Sequence, residues 1–334
     1  MDLYLPSGFL NMGAVLRDRH PFIVMIGARG TGKTYGTLMA AIEQGTRFIY
    51  FRRTARIIEL IMDPALHIFK RLNADNGWYI RPELSKGLGR FYNDDKGGEL
   101  AGYAAALSTF ANVRGFDGSD VDLIIYDEFI PEPTERQTFN SYTALLNAIE
   151  TVGRNRELEG RDPVKVLLLS NSDLIYSEII SGLGIGDRLY QMQESGEELQ
   201  DVSDDLLLIR PVSEAFAEKK VKTALYRLTA GQDYSSVALE NRFPIEDRSH
   251  IKPRPLQEYI PAAAINGICI YKHKSNGTLY VTDRVSGSPK IYENNEQERR
   301  RFLRNHPGVW RLYQRKKVYF SGIDVQTKFK AIYE

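Results

Sequence analysis

The sequence predicts an α/β protein with a mostly parallel sheet, followed by a smaller α+β domain. Three observations carry this. Short apolar runs alternate with helix-period segments over about the first 210 residues, the pattern of a sheet with helices on its faces. The stretch Gly27-Ala28-Arg29-Gly30-Thr31-Gly32-Lys33-Thr34 fits the phosphate-loop pattern G-x-x-x-x-G-K-[ST] at every fixed position. Beyond residue 210 the composition shifts to charged and proline-rich segments and then to a hairpin signal. The division expected is 1–211 for the nucleotide domain, 212–245 for a helical linker and 246–334 for a C-terminal domain.

Ile23-Val24-Met25-Ile26 is apolar throughout and partly β-branched, as a strand buried on both faces must be. Tyr35 to Gln44 then reads as a helix, so the glycine loop sits between strand and helix. There the glycines let backbone N–H groups turn toward phosphate oxygens, and the helix start adds its positive dipole end. Lys33 is placed to reach the β- and γ-phosphates and Thr34 to bind Mg²⁺, which makes ATP and Mg²⁺ the expected cofactors. Arg47-Phe48-Ile49-Tyr50-Phe51 is the next strand and runs into Arg52-Arg53. Arg56 to Leu72 has a helical pattern that Pro64 must interrupt. Trp78-Tyr79-Ile80, Arg90-Phe91-Tyr92 and Glu99 to Leu107 are short strands joined by glycine-rich turns, an insertion before the next core strand.

That strand, Leu123-Ile124-Ile125-Tyr126, ends in Asp127-Glu128. An Asp there can support Mg²⁺ opposite Thr34, and a second carboxylate can act as general base on an attacking water. A phosphotransferase acting on a substrate hydroxyl does not need the second acid. Thr138 to Thr151 is helical, with Tyr142, Leu145, Leu146 and Ile149 on one face. Val164 to Leu169 is a further strand, ending in Ser170-Asn171-Ser172. Asn171 there either holds the attacking water or senses the γ-phosphate, or it caps a turn. Val212 to Leu228 reads as a charged amphipathic helix and 229–262 as turn-rich. Ile268 to Lys272 and Thr278 to Thr282 flank a Ser275-Asn276-Gly277 turn, a hairpin signal.

Arg154-Asn155-Arg156 follows Gly153 at a helix end. Such cations either complete a neighbouring subunit's site or simply suit a helix C-terminus. Arg29 is a further cation inside the loop. Between Arg299 and Lys317 the chain has eight basic residues and no acid, interleaved with Trp310 and Tyr313. This is either a phosphate-backbone surface, with Arg300, Arg304 and Lys316 as candidates, or a solvated helix face. Arg56, Lys86 and Arg90 are the corresponding candidates in the first domain. The net charge of +1 and the single cysteine, Cys269, set the remaining bounds. No disulfide or cysteine-based metal site can form within one chain, no apolar run reaches membrane-span length, and a reducing cytoplasm is the expected setting.

Several segments together suggest a family. Arg114-Gly115-Phe116-Asp117-Gly118 through Ile124-Ile125-Tyr126-Asp127-Glu128-Phe129 resembles the corresponding segments of large-terminase ATPases. Ile26 to Gly30 with Gly32-Lys33, Phe48-Ile49-Tyr50 with Arg52-Arg53, Tyr126 to Ile130, Ala144 to Asn147, Arg154 to Glu157 and Leu169-Ser170-Asn171 resemble, in order, the DNA-packaging ATPases of phi29-like bacteriophages. The likeness is good over the N-terminal two-thirds and thins in the last hundred residues or so. It implies an ASCE-type ATPase that translocates double-stranded DNA as a homo-oligomeric ring, a pentamer, docked on the portal of an empty procapsid in the host cytoplasm. It also implies a C-terminal domain similar to an inactive RNase H-like nuclease. Arg154 matches the family's trans-acting arginine, and Arg114 falls where the family has a basic residue acting between subunits. The family's motor contains a packaging RNA, but no residue here shows that this member uses one. Asp283 and Asp324 are the isolated acids that an active nuclease site would have to recruit. The competing functions are a P-loop helicase or remodelling ATPase, a metabolic phosphotransferase, and a nucleotide-dependent switch with negligible turnover.

Overall fold

The computed structural model describes residues 1–113, 115–131, 139–171, 177–229 and 248–333. Arg114, Thr138, Ser172 and residues 230–245 of the expected linker lie outside the described residues. By contacts the chain divides into two units, Met1–Ile179 with Met192–Pro244 and Ile180–Gln191 with Ile245–Glu334. The segment 180–191, assigned by composition to the first domain, therefore clusters with the C-terminal residues.

The first unit is built on β1 (Phe22–Ile26), β2 (Phe48–Arg52), β3 (Ile80–Ser85), β4 (Leu88–Asn93), β5 (Glu99–Ala106), β6 (Leu123–Asp127), β7 (Lys165–Ser170), β8 (Leu199–Asp201) and β9 (Leu206–Ile209). These form one sheet in the order β3-β4-β5-β2-β6-β7-β1-β9-β8. The run from β5 to β9 is parallel, and β3, β4 and β8 extend it antiparallel at the two edges. Every residue of β6 is buried, as are four of the five in β1. Strands covered on both faces must be apolar along their whole length, and this is what the unbroken runs recorded. The order places β7 between β1 and β6. Its register aligns Ile26 with Ser170 and Leu169 with Asp127, so three strand ends open side by side.

Some elements differ from expectation, each for a local reason. The segment 56–72 forms two helices, Ala55–Ile61 and Lys70–Asn76. Pro64 between them lacks an N–H and disfavours helical backbone at the residue before it. The helix Ser141–Gly153 buries Ser141, Leu145, Ala148 and Val152, whereas Leu146 is exposed. Of the stripe read at Tyr142, Leu145, Leu146 and Ile149, Leu145 is buried as expected, while the buried face is centred on it rather than on Leu146. The segment 212–228 is broken into Glu214–Val221 and Ala224–Leu228. The strand expected at Trp78 begins only at Ile80, and β8 and β9 were not foreseen.

The second unit holds β10 (Tyr259–Ile265), β11 (Ile268–His273), β12 (Leu279–Thr282), β13 (Lys290–Ile291) and β14 (Val318–Phe320), ordered β13-β10-β11-β12-β14. The expected hairpin is β11–β12, with Tyr271 opposite Tyr280. β10 runs through a stretch read as turn-rich because of its prolines. Its register shifts between Pro261 and Ala263, where a missing ladder donor is tolerated. Phe302 and Phe329, from helices Glu296–Asn305 and Ile323–Lys330, pack with Phe320 of β14 at zero exposure.

Candidate nucleotide-binding and hydrolysis site

The loop between β1 and the helix Lys33–Glu43 has the backbone that its glycines permit. Gly30 and Gly32 lie at φ +83° and +92°, a region that side chains with a Cβ rarely adopt. At Gly27 an added Cβ would meet Pro211 Cγ at 2.9 Å. The Thr31 hydroxyl donates to Ala28 O at 3.0 Å, which ties the loop to itself. Lys33 is buried, and its ammonium donates to Gly27 O and Ala28 O at 2.8 Å and to Asn171 Oδ1 at 3.2 Å. Asn171 therefore sits directly on the phosphate-loop lysine, brought there because β7 is next to β1.

The Thr34 hydroxyl donates to Asp127 Oδ2 at 2.7 Å, and the Tyr50 hydroxyl donates to the same oxygen at 2.7 Å. Burial and the neighbouring Asp127 carboxylate push the Tyr50 phenol well above its ordinary pKa, so it serves as a fixed donor. Sequence reasoning placed Tyr50 in a strand and gave its hydroxyl no role. The available signal was a hydroxyl inside a fully buried strand, since a buried tyrosine needs a partner.

Glu128 is the first residue past β6. Its backbone is left-handed, at φ +53°, a conformation costing about 1–3 kcal/mol for a residue with a Cβ. Its side chain is half exposed and forms an ion pair with Arg52 at the end of β2. Burial would lower the Arg52 pKa, but Tyr50, Glu128 and Asp127 around it raise it.

These residues fit a magnesium nucleotide. Left-handed glycines, an ammonium, a hydroxyl beside a buried carboxylate and a second carboxylate share one cavity of about 760 Å³, which reaches from Asp127 and Glu128 past the loop to Leu5 and Met39.

The candidate trans-acting arginines part company. Arg156 is buried and donates to Val121 O at 2.7 Å and Asp122 Oδ1 at 2.8 Å. This spends it inside its own unit, because a buried guanidinium needs such partners, and corrects its place as a cation offered to a neighbour. Arg154 is half exposed, at φ +43°, and donates to Phe116 O at 2.7 Å. Arg29 is exposed on the loop.

Of the DNA candidates in the first unit, Arg56 and Lys86 are exposed, Lys86 at the tip of the β3–β4 hairpin, and Arg90 is half-buried on β4. In the second unit the basic run forms Glu296–Asn305 and Gly308–Gln314. Glu296 and Glu298, just ahead of the run, pair with Arg299, Arg300 and Arg301 at 3.0–3.2 Å. The first half is therefore a mixed-charge helix face. Arg304 and Lys316 are exposed beyond those pairs.

Asp283 accepts from the Thr282 hydroxyl at 3.2 Å. Asp324 instead faces Asp187, and each carboxylate lies at the start of the other's helix. Asp187 accepts from Ile323 N at 3.2 Å, and the backbone N–H groups of Gly186 and Asp187 hold Asp324. Gly186 and Gly322 leave room for this, since a Cβ at either would collide with the opposite carboxylate. Burial and then the Asp187 charge, against a smaller opposing effect of Lys328, push Asp324 up to about 7 from 3.8. A carboxyl raised in this way stabilises the fold fully below its unfolded value and loses that contribution as pH rises through 7. Asp324→Asn is thus expected to remove a loss on the order of 2 kcal/mol between pH 5 and pH 8. Urea midpoints at the two pH values test this, and equal pH dependence in both chains would contradict it.

Residues 5–298 match the family described as the podovirus DNA encapsidation protein (Gp16). The DNA packaging protein of Bacillus phage phi29 is 27% identical over 299 residues, spanning 86% of this chain and 80% of that protein. Two solved structures resemble the fold over most of both chains. One is the bacteriophage Phi-29 viral genome packaging motor assembly, with TM-score 0.67, 22% identity and coverage of 97% and 98%. The other is the Phi-28 gp11 DNA packaging motor, with TM-score 0.62, 19% identity and coverage of 97% of each chain.

Proposed function

The chain belongs to the podovirus DNA encapsidation protein (Gp16) family, and on that premise we propose that it is an ATP-hydrolysing subunit of a ring motor that moves double-stranded viral DNA into an empty procapsid. The observation that carries the chemistry is the convergence of Lys33, Thr34, Asp127, Glu128 and Asn171 at three adjacent strand ends. The loop N–H groups and Lys33 bind phosphate oxygens. Thr34 and Asp127 would hold Mg²⁺, which would neutralise charge developing on the phosphates. Glu128 takes the proton from the attacking water, and Asn171 orients the γ-phosphate end against Lys33. Arg154, exposed at a helix end, reaches the site of the next subunit.

The partners that go with this function are duplex DNA, the portal and further copies of the chain in a homo-oligomeric ring, a pentamer, working in the host cytoplasm. A packaging RNA belongs to the same family picture. The division into 1–211, 212–245 and 246–334 assigns hydrolysis to the first part. The last part is a DNA- or partner-binding platform similar to an inactive nuclease. Arg304 and Lys316 are its phosphate-contact candidates, lying beyond the arginines that the acids at 296 and 298 pair with.

ATP turnover with and without duplex DNA, and with and without empty procapsids, tests the proposal. DNA-stimulated hydrolysis and protection of DNA inside procapsids are expected. Strand separation without packaging would instead indicate a helicase. Turnover only with a small acceptor would indicate a phosphotransferase, and tight binding with negligible turnover would indicate a switch.

A further inference from the structure

Residues 154–161 form a turn that three arginines fasten to the segment 116–122. Arg154 donates to Phe116 O at 2.7 Å, Arg156 to Val121 O and Asp122 Oδ1 at 2.7 and 2.8 Å, and Arg161 to Ser119 O at 3.1 Å. The turn is also closed on itself, with Glu159 N donating to Asn155 O at 3.0 Å and Arg161 N to Arg156 O at 2.9 Å. Leu158 stands on this support at 87% exposure, the highest of any large apolar side chain among the described residues. A lone exposed leucine on a loose surface calls for no explanation. Here it shares a fastened turn with Arg154, whose backbone lies at φ +43°, a conformation that a residue with a Cβ holds only at a cost. An anchored apolar knob beside a strained, solvent-facing arginine has the makeup of a contact surface, in which an apolar centre is rimmed by polar groups.

We infer that Leu158 anchors the contact between copies of this chain, seated against Leu5 and Phe9 of the next copy, and that it positions Arg154 there. This seat rests on the proposed function, in which Arg154 acts on a neighbouring subunit. One short turn carries both side chains, so a neighbour that Arg154 enters must also meet Leu158. The surface it meets is the mouth of the phosphate-loop cavity, where Leu5 and Phe9 are the large apolar lining residues left exposed, at 37% and 44%. Phe9 is braced from behind by the Phe216 ring, centroids 5.7 Å apart. Pairing the two surfaces covers apolar area that each copy alone leaves in water. Knob and seat are different patches, so every copy gives one and receives the other, the head-to-tail arrangement that closes rings. Leu158 touches no nucleotide; it sets where Arg154 lands.

The single cysteine, Cys269, is buried, so introduced thiols report on the contact. Full-length Leu158→Cys and Leu5→Cys chains are mixed on duplex DNA with ATP and treated with a short thiol–thiol cross-linker. A cross-linked dimer is expected from the mixture and not from either variant by itself. Leu158→Asp is expected to lower turnover about tenfold at low protein concentration, because an apolar seat penalises an unpaired carboxylate. Its ATP affinity should be unchanged, and its turnover should recover as protein concentration rises. Leu158→Met should keep turnover close to that of the natural chain. A mixture that yields no more dimer than each variant alone would overturn the contact. So would Leu158→Asp turnover that is natural, or equally low, at every concentration. Chains that cross-link although Arg154→Ala and Glu128→Gln fail to complement would retain the contact and remove the arginine's action on the neighbour, a separate and recognisable failure.

Discussion

A Glu128→Gln chain is expected to bind ATP much as the natural chain does and to lose about two to four powers of ten in steady-state hydrolysis, the usual worth of a positioned general base. The amide keeps the shape of the side chain but cannot take a proton. It also ends the ion pair with the largely buried Arg52, which keeps Tyr50 and Asp127 beside it. The contacts proposed to hold phosphate and metal, Lys33 with Asn171 and Thr34 with Asp127, do not involve Glu128. Lys33→Ala should behave oppositely, losing affinity first. Nucleotide affinity and turnover measured on both variants separate the roles, and near-natural turnover in Glu128→Gln would mean that another group handles the water.

Arg154→Ala is expected to lower turnover by about 10³–10⁵, the range for an arginine that stabilises a transferring phosphoryl group. Its side chain is half exposed and holds only Phe116 O and, at 3.9 Å, the Asp117 carboxylate, so large damage to the fold is an insufficient explanation. Arg154→Lys keeps the charge but loses the planar fork, and should remain impaired. The decisive measurement is a mixture. An Arg154→Ala subunit retains Glu128, and a Glu128→Gln subunit retains Arg154. If the arginine acts on the neighbour, mixed rings on DNA contain interfaces with one good copy of each, and activity rises above either parent. A mixture no better than its parts, with each variant still assembling beside the natural chain, would place Arg154 in its own subunit's structure. Arg29 and Arg114 would then be the next candidates, Arg156 having been spent on Val121 and Asp122.

Much of the site was legible because its signals are local. The loop glycines, Lys33, Thr34 and the Asp127-Glu128 strand end lie within short runs whose spacing carries the chemistry. What depended on sheet order was harder to read. Asn171 could be a turn cap or a site residue until β7 was found between β1 and β6, which puts its amide on Lys33. Tyr50 and Arg52 reach Asp127 and Glu128 only because β2 pairs with β6, and no spacing along the chain carries that information. The basic run misled for a different reason. Its count began at Arg299, directly after the glutamates at 296 and 298, which pair with its first three arginines one turn on. Strand β10 was missed because prolines usually argue against a strand, and here a register shift accommodates one.

The placement of residues 180–191 bears on how the chain is made. Asp187 meets Ile323 across 136 residues of sequence, and the strands β8 and β9 of the other unit are synthesised in between. Ile180, Ile185 and Leu189, nearly inaccessible in the finished molecule, must therefore emerge from the ribosome well before the segment that clusters with them. Contacts this distant along the chain form late, since loop closure must precede them, and apolar surface left waiting is prone to aggregate. Fragments cut near residue 245 to isolate the ATPase would keep the helices Glu178–Leu183 and Gly186–Ser195 without the C-terminal residues that cluster with 180–191. Such fragments should be less soluble than the whole protein, and the most soluble ones should end before residue 180 or omit 180–191 altogether.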